Sequence, residues 1–284
     1  MAILTIARLT VSEAVRRRIA LVLLGLTVVS VLLTTWGVDR LVSLADTRGA
    51  GQLQVYFAVS QLLILIAFMF SFVLAMTAAF LAAPAIAADL DSGVAQAMLA
   101  RPIRRADLVI GRWLGLVVVV VVYAVASGLL EVVAIGFVSG YQPPQPLVAA
   151  GFLAAQAIVL LTLALLLSTR LPAIAAGAIC VVLFGLGWMA GIFALVGRFF
   201  EAGPLVAAAE ASRWLLPSDG LWRGAIYGLE PPAVVLVALG RGGPGALNPF
   251  FASGLPDAPF LAWSAIWVLV VLGLAVLSLS RRDL

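Results

Sequence analysis

Long apolar runs broken by short polar stretches set the pattern of this chain. Six runs reach the roughly 20 apolar residues that a helix needs to cross the ~30 Å hydrocarbon core: residues 19–38, 55–83, 114–138, 147–168, 173–196 and 260–279. A bilayer offers no water to backbone N–H and C=O groups, so each run is predicted as a helix. The fold class that follows is an all-α membrane protein with six transmembrane helices. Ahead of the first run, Ile3, Leu4, Ile6, Ala7, Leu9 and Val11 alternate imperfectly with Arg8, Ser12, Glu13, Arg16, Arg17 and Arg18, which predicts residues 1–18 as a helix lying along the membrane interface. The first run is too long for a signal-peptide core and ends in Thr-Thr-Trp-Gly without an A-x-A site, so it is read as a retained span.

The breaks are uneven. Residues 87–113 form a charged connection between spans two and three. Residues 141–146 read Tyr-Gln-Pro-Pro-Gln-Pro, a turn fixed by prolines, and residues 169–172 are a tight turn that makes spans four and five an antiparallel hairpin. Residues 197–259 mix polar residues, Pro-Pro and Gly-Gly with an apolar piece, Ala233 to Leu239, too short to cross; short outer helices dipping partly into the membrane are expected there. No internal repeat is evident, and all 284 residues form a single transmembrane domain.

Composition narrows the chemistry. The chain is 64% hydrophobic and 11% charged, with a formal net charge of +4. All 17 basic residues are Arg, His is absent and Cys180 is the single cysteine. Without Lys there is no GxxxxGK[ST] phosphate loop, and without His there is no Ser-His-Asp triad or HExxH zinc site. One cysteine makes neither an internal disulfide nor a CxxC site. The chain is therefore expected to be no enzyme, with no metal and no cofactor of its own, and no nucleic acid as partner. The charge acts instead as a topology signal. With the N-terminus inside, eleven arginines (8, 16, 17, 18, 101, 104, 105, 112, 170, 281, 282) lie on the inner side and six (40, 48, 198, 213, 223, 241) on the outer. Both termini are expected to be cytoplasmic, which makes 87–113 a cytoplasmic loop and 197–259 extracytoplasmic.

Within the cytoplasmic loop, Asp89, Asp91 and Ser92 suit a helix N-terminus, where carboxylates meet free N–H groups and the positive end of the helix dipole. Val94, Met98 and Leu99 would share one face, and Pro102 would stop or turn the helix before the basic residues Arg101, Arg104 and Arg105. Such an amphipathic helix docks either on a partner groove or on anionic membrane lipid through its arginines.

The loop resembles the cytoplasmic segment of ABC-2 type transporter permeases. Their pattern of Glu, Gly-Thr, Leu-Leu, Pro-Val, Arg and Gly-Lys is matched by Asp89, Gly93, Met98-Leu99, Pro102-Ile103, Arg105 and Gly111-Arg112, with Asp for Glu, Val94 for Thr and Arg for Lys. Glu13 to Arg18, the segment Leu216 to Arg223 and the terminal Arg281-Arg282-Asp283-Leu284 are similar to further parts of the same family. The resemblance implies a permease subunit, usually an exporter, that pairs as a dimer, a homodimer being the simplest form, with two cytosolic ABC ATPase subunits that hold the ATP and Mg. It also implies that the loop carries a coupling helix, with Asp89, Asp91, Gly93, Met98, Leu99, Arg101, Pro102, Arg104 and Arg105 as its coupling residues.

Glu131 is the one carboxylate deep in a run, about in the middle of span three, with Ser127 one turn away. An ionisable group there faces the bundle or a cavity. It either lines a substrate pathway or serves packing, and it leaves open a proton-coupled secondary transporter centred on Glu131; a non-transporting assembly subunit is the third class. Gln61, Gln156, Ser71 and Thr77 are expected in helix-to-helix hydrogen bonds. Gly185, Gly187 and Gly191 mark close helix packing, with a dimer interface as one place for it. Trp36, Trp263, Trp267 and Trp113 read as an aromatic belt, and Arg213, Asp219 and Arg223 as solvated loop charges.

Overall fold

The computed structural model describes residues 2–16, 19–49, 51–91, 104–232, 235 and 248–282. In chain order the helices are α1 (Ala2–Arg16), α2 (Ile19–Thr47), α3 (Gln52–Ala82), α4 (Pro84–Asp91), α5 (Arg105–Ser139), α6 (Pro146–Ser168), α7 (Ala173–Phe199), α8 (Gly203–Leu215), α9 (Ser218–Leu229) and α10 (Ala258–Ser280), with no strand among the described residues. Six of these segments, built on α2, α3 with α4, α5, α6, α7 and α10, are long and apolar enough to cross a membrane.

Helix ends fall where the backbone chemistry changes. Pro146 opens α6 within its first turn, where a missing N–H costs nothing. Gly140 closes α5 in the left-handed conformation at φ 68°, its N–H returning to Gly136 O. Two helices outrun their apolar cores. α2 continues to Thr47 past residue 38, and α5 begins at Arg105 rather than 114. Hydropathy marks the lipid-facing stretch, whereas a helix continues as long as its backbone bonds and packing persist.

α6 is the central helix, packed by α3, α5, α7, α9 and α10. Its buried positions include Ala149, Ala150, Ala154, Ala157 and Ala164, small side chains that let neighbouring backbones approach. α2 lies at the edge, with Leu21, Leu24, Leu32, Leu33 and Trp36 all more than half exposed.

Before the last span the described residues hold short helices of the kind expected there. α8 descends along α7, and α9 climbs back with nearly every residue buried. Their turn sits beside the middle of the spans. Gln156, the eleventh of 23 residues of α6, donates to Ser218 O at 3.3 Å. Trp267, the tenth of 23 in α10, donates to Leu215 O at 2.8 Å. Glycines at intervals of four make this re-entrant hairpin possible. A Cβ on Gly224 would lie 2.7 Å from the Phe152 ring, and one on Gly228 would lie 2.9 Å from Gln145 O; one on Gly220 would collide with Phe260. Gly187 and Gly191 of α7 face Ser218 and Asp219 of the same chain, so their packing is internal and not a dimer contact, while Gly185 faces open space.

The tryptophans are likewise structural. Trp263 donates to Trp214 O at 2.7 Å and Trp113 to Thr162 Oγ1 at 2.9 Å. Trp36, 62% exposed, and Trp263, 36% exposed, stay on the surface of the bundle, as a belt requires. Phe68 of α3 meets Trp188, Trp222 and Phe250 at 4.9, 5.6 and 5.4 Å between ring centroids, which ties the hairpin to the bundle.

Candidate functional site

Three groups of polar side chains stand out against the apolar bundle. The first lies at the end carrying the described chain termini. α1 presents Ile6, Thr10 and Ala14 as a buried stripe, and it lands on Gly111 and Gly115 of α5. A Cβ on either glycine would lie 2.7 Å from an α1 atom, Ile6 Cβ for Gly111 and Ala7 O or Thr10 Cβ for Gly115. Gly111 and Gly115 stand in the small-xxx-small spacing of close helix pairs, a signal present in the sequence and not exploited there.

That contact carries Glu13 to within 2.7 Å of Arg112 Nη1, while Arg112 Nη2 reaches Asp89 at 2.6 Å. Arg112 is 11% exposed and Asp89 15%. One guanidinium therefore joins α1, the end of α4 and the start of α5. Asp89 and Asp91 occupy the last turn of α4, and the helix expected after them lies outside the described residues. A carboxylate at a helix C-terminus opposes the dipole, and Arg112 compensates Asp89 there. Arg112 and Glu13 were matched to the family pattern in sequence without being counted among the coupling residues; a lone cation after a glycine at the mouth of an apolar run is the signal that marks Arg112.

The second group is a clamp at the same end. Arg105 Nη1 donates to the carbonyls of Leu279, Ser280 and Arg282 at 3.0, 3.1 and 2.6 Å. Arg282 in turn donates to Thr169 O at 2.6 Å, Arg170 Nε to Ser278 Oγ at 3.0 Å, and the Thr169 and Ser278 hydroxyls meet at 2.7 Å. Cations thus satisfy the last carbonyls of α10, which have no partner inside their own helix. Arg104 precedes α5 in extended conformation and is exposed. Gly93, Met98, Leu99, Arg101 and Pro102 lie outside the described residues.

The third group is inside the bundle. Glu131 lies eight residues before the end of α5, about 12 Å along the helix, so it sits in the last third of this helix instead of its middle. Thr34 of α2 donates to Glu131 Oε1. One and two turns away, Thr27 approaches Tyr123 Oη at 3.1 Å and Ser127 Oγ at 3.3 Å. Among the described residues no three His, Cys, Asp or Glu side chains converge as metal ligands.

At the end away from the termini, Asp219, read as solvated, proves buried, while Arg213 and Arg223 are half-buried. Asp219, 8% exposed, pairs with Arg223 at 3.1 Å across one turn of α9. Arg213 stacks over the Phe260 ring at 4.3 Å and stands 4.0 Å from Asp257. Glu230, 1% exposed, accepts from Ala252 N at 3.2 Å through Oε2, while Oε1 has no partner. Burial pushes its carboxyl up from 4.5 to about 8. Burial, with the charge of Glu230 second, also raises the Tyr141 hydroxyl, which donates to Leu229 O at 2.7 Å.

A pH prediction follows. The unfolded chain loses the Glu230 proton near 4.5 and the folded chain keeps it to about 8, so the folded state binds the extra proton between them and stability falls as pH rises through that window. The melting temperature of the wild type is expected to drop from pH about 5 to about 9, and that of Glu230→Gln to drop less. Parallel curves in a thermal-melt series would refute it.

Six membrane-capable helices, a re-entrant hairpin and two polar linkages at the ends of those helices define a multi-pass membrane protein. The sequence pattern of the ABC-2 family transporter proteins matches residues 4–284, and the chain belongs to that family. It is a permease of ABC transport, whose usual location is the cell membrane, and family membership implies association with ABC ATPase partners. No curated protein matches the chain.

Proposed function

We propose that this permease exports its substrate, driven by ATP hydrolysis in two cytosolic ABC ATPase subunits, with two copies of the chain forming a homodimer. ATP and Mg are held by the partners, and the chain contributes no catalytic group. Both termini and the loop around residues 92–103 face the cytosol, and that loop receives the movement of the ATPases through Asp89, Asp91, Gly93, Met98, Leu99, Arg101, Pro102, Arg104 and Arg105. One observation carries this reading: Arg112 joins Glu13 and Asp89 at distances below 3 Å. A displacement of the loop between α4 and α5 then reaches α1, α3 and α5 together. The arginine clamp extends the same linkage to α6, α7 and α10, because Arg105 opens α5 and grips the end of α10.

The test is co-purification with the cognate ATPase, followed by ATP hydrolysis in lipid. Met98→Arg places a charge on the apolar face expected to dock. It is expected to lower complex yield about tenfold, the effect of a 1.4 kcal/mol loss at an interface. Undiminished assembly and hydrolysis would overturn the coupling assignment.

A further inference from the structure

Glu131 opens onto a cleft among α2, α3, α5, α6 and the end of α9. Its walls are apolar, with Leu63, Ile66, Phe70 and Leu153 among them, and one polar stripe runs down them through Thr27, Ser30, Ser127 and Glu131. Pro146 and Leu229 place the cleft toward the end of the bundle away from the termini. Among the described residues no basic side chain lines it, and Glu131 takes part in none of their ion pairs. The Thr34 hydroxyl donates to it.

Glu131 differs in this from the two carboxylates that meet α5 at its other end. Asp89 and Glu13 are matched by Arg112. At Glu131 no compensating cation stands among the described residues, and a carboxylate at membrane depth is costly unless it is paired. A ligand that brings a positive charge removes that cost. The hydroxyls of Thr27, Ser30 and Ser127 can accept hydrogen bonds from an ammonium group, the face of Phe70 can receive a cation, and the remaining wall suits hydrocarbon. An anionic ligand would meet only repulsion at Glu131.

We infer that this cleft is a binding site for hydrophobic cations, amphiphiles with an ammonium or similar head and an apolar body, with Glu131 as the counter-ion. The inference rests on the permease reading for its role in transport, but the binding itself does not need the ATPase. Specificity then comes from two properties together. The charge selects against neutral lipids, and the apolar wall selects against small hydrated cations, which would have to give up their water without hydrophobic compensation.

The experiment is saturation binding of radiolabelled tetraphenylphosphonium to the purified full chain in detergent, with dodecylammonium and dodecanol as competitors. Glu131→Gln keeps the shape and leaves a carbonyl to accept from Thr34, so the fold is expected to persist, and a thermal melt checks it. Glu131→Asp keeps the charge on a shorter stem. The expected result is saturable binding displaced by dodecylammonium and not by dodecanol, weakened about tenfold or more in Glu131→Gln and partly retained in Glu131→Asp. Equal affinity in wild type and Glu131→Gln, or no saturable binding, would overturn the inference. Co-purification with the ATPase is scored on the same preparation. Glu131-dependent binding without ATPase association would uphold the cation site and defeat the permease pairing; ATPase association without cation binding would do the reverse.

Discussion

Replacing Arg112 with alanine is expected to uncouple the permease from its ATPase and to destabilise it by about 1–3 kcal/mol, the range for taking a charged hydrogen-bond partner away from a half-buried group. The size follows from what is left behind. Glu13 and Asp89 both lose the guanidinium that sits between them, and Asp89 then faces the negative end of α4. Arg112→Lys keeps the charge but cannot reach two carboxylates through separate nitrogens in one plane, so it is expected to recover stability more than coupling. The measurement is transport and ATP hydrolysis in proteoliposomes beside a thermal melt. Hydrolysis that continues while transport falls about tenfold or more would identify Arg112 as the joint through which movement passes. Unchanged transport in Arg112→Ala would show that the three helices move independently of it.

The second large effect is expected at Gly228. A Cβ there would lie 2.9 Å from Gln145 O and 3.0 Å from Ala149 N. Both are backbone atoms, so no side chain can swing aside. Gly228→Leu should force α9 away from α6 at a cost of about 3 kcal/mol or more, the upper range for overpacking, and loosen the whole re-entrant hairpin. Gly185→Leu is the matched control, because its Cβ would meet nothing within 4 Å. Folded yield in detergent and protease cleavage within residues 203–229 report the outcome. Equal yields for the two variants would mean that α9 is not held as tightly as its burial indicates.

The six spans were legible because their signal is additive: about twenty apolar residues in a row outweigh any local exception. α1 was legible from its imperfect alternation. The longer reach of α2 and α5 was not, since Arg40 and Arg105 to Arg112 read as loop charge until it is seen that helix and hydrocarbon have different lengths. The short helices before the last span were expected, but how they pack was hidden for a related reason. Asp219, Arg223 and Arg213 look solvated in sequence, and only tertiary structure shows that α9 buries Asp219 and pairs it with Arg223 within one helical turn. Its glycines at 220, 224 and 228 were readable, but their meaning depends on Phe260, Phe152 and Gln145, which lie far away in sequence. The coupling residues divide in the same way. Asp89 and Arg105 were picked by resemblance, yet their partners, Arg112 for one and the carbonyls of α10 for the other, are properties of the packed bundle.

The clamp on α10 also bears on how the protein is made. Arg105 is separated from the carbonyls it binds by 174 to 177 residues, and Thr169 from Ser278 by 109. During synthesis these groups emerge and wait, solvated by water and lipid head groups, until the last span has been inserted. Closure of the clamp therefore follows the insertion of α10, and a chain with α10 missing or inverted leaves Arg105 without the carbonyls it binds.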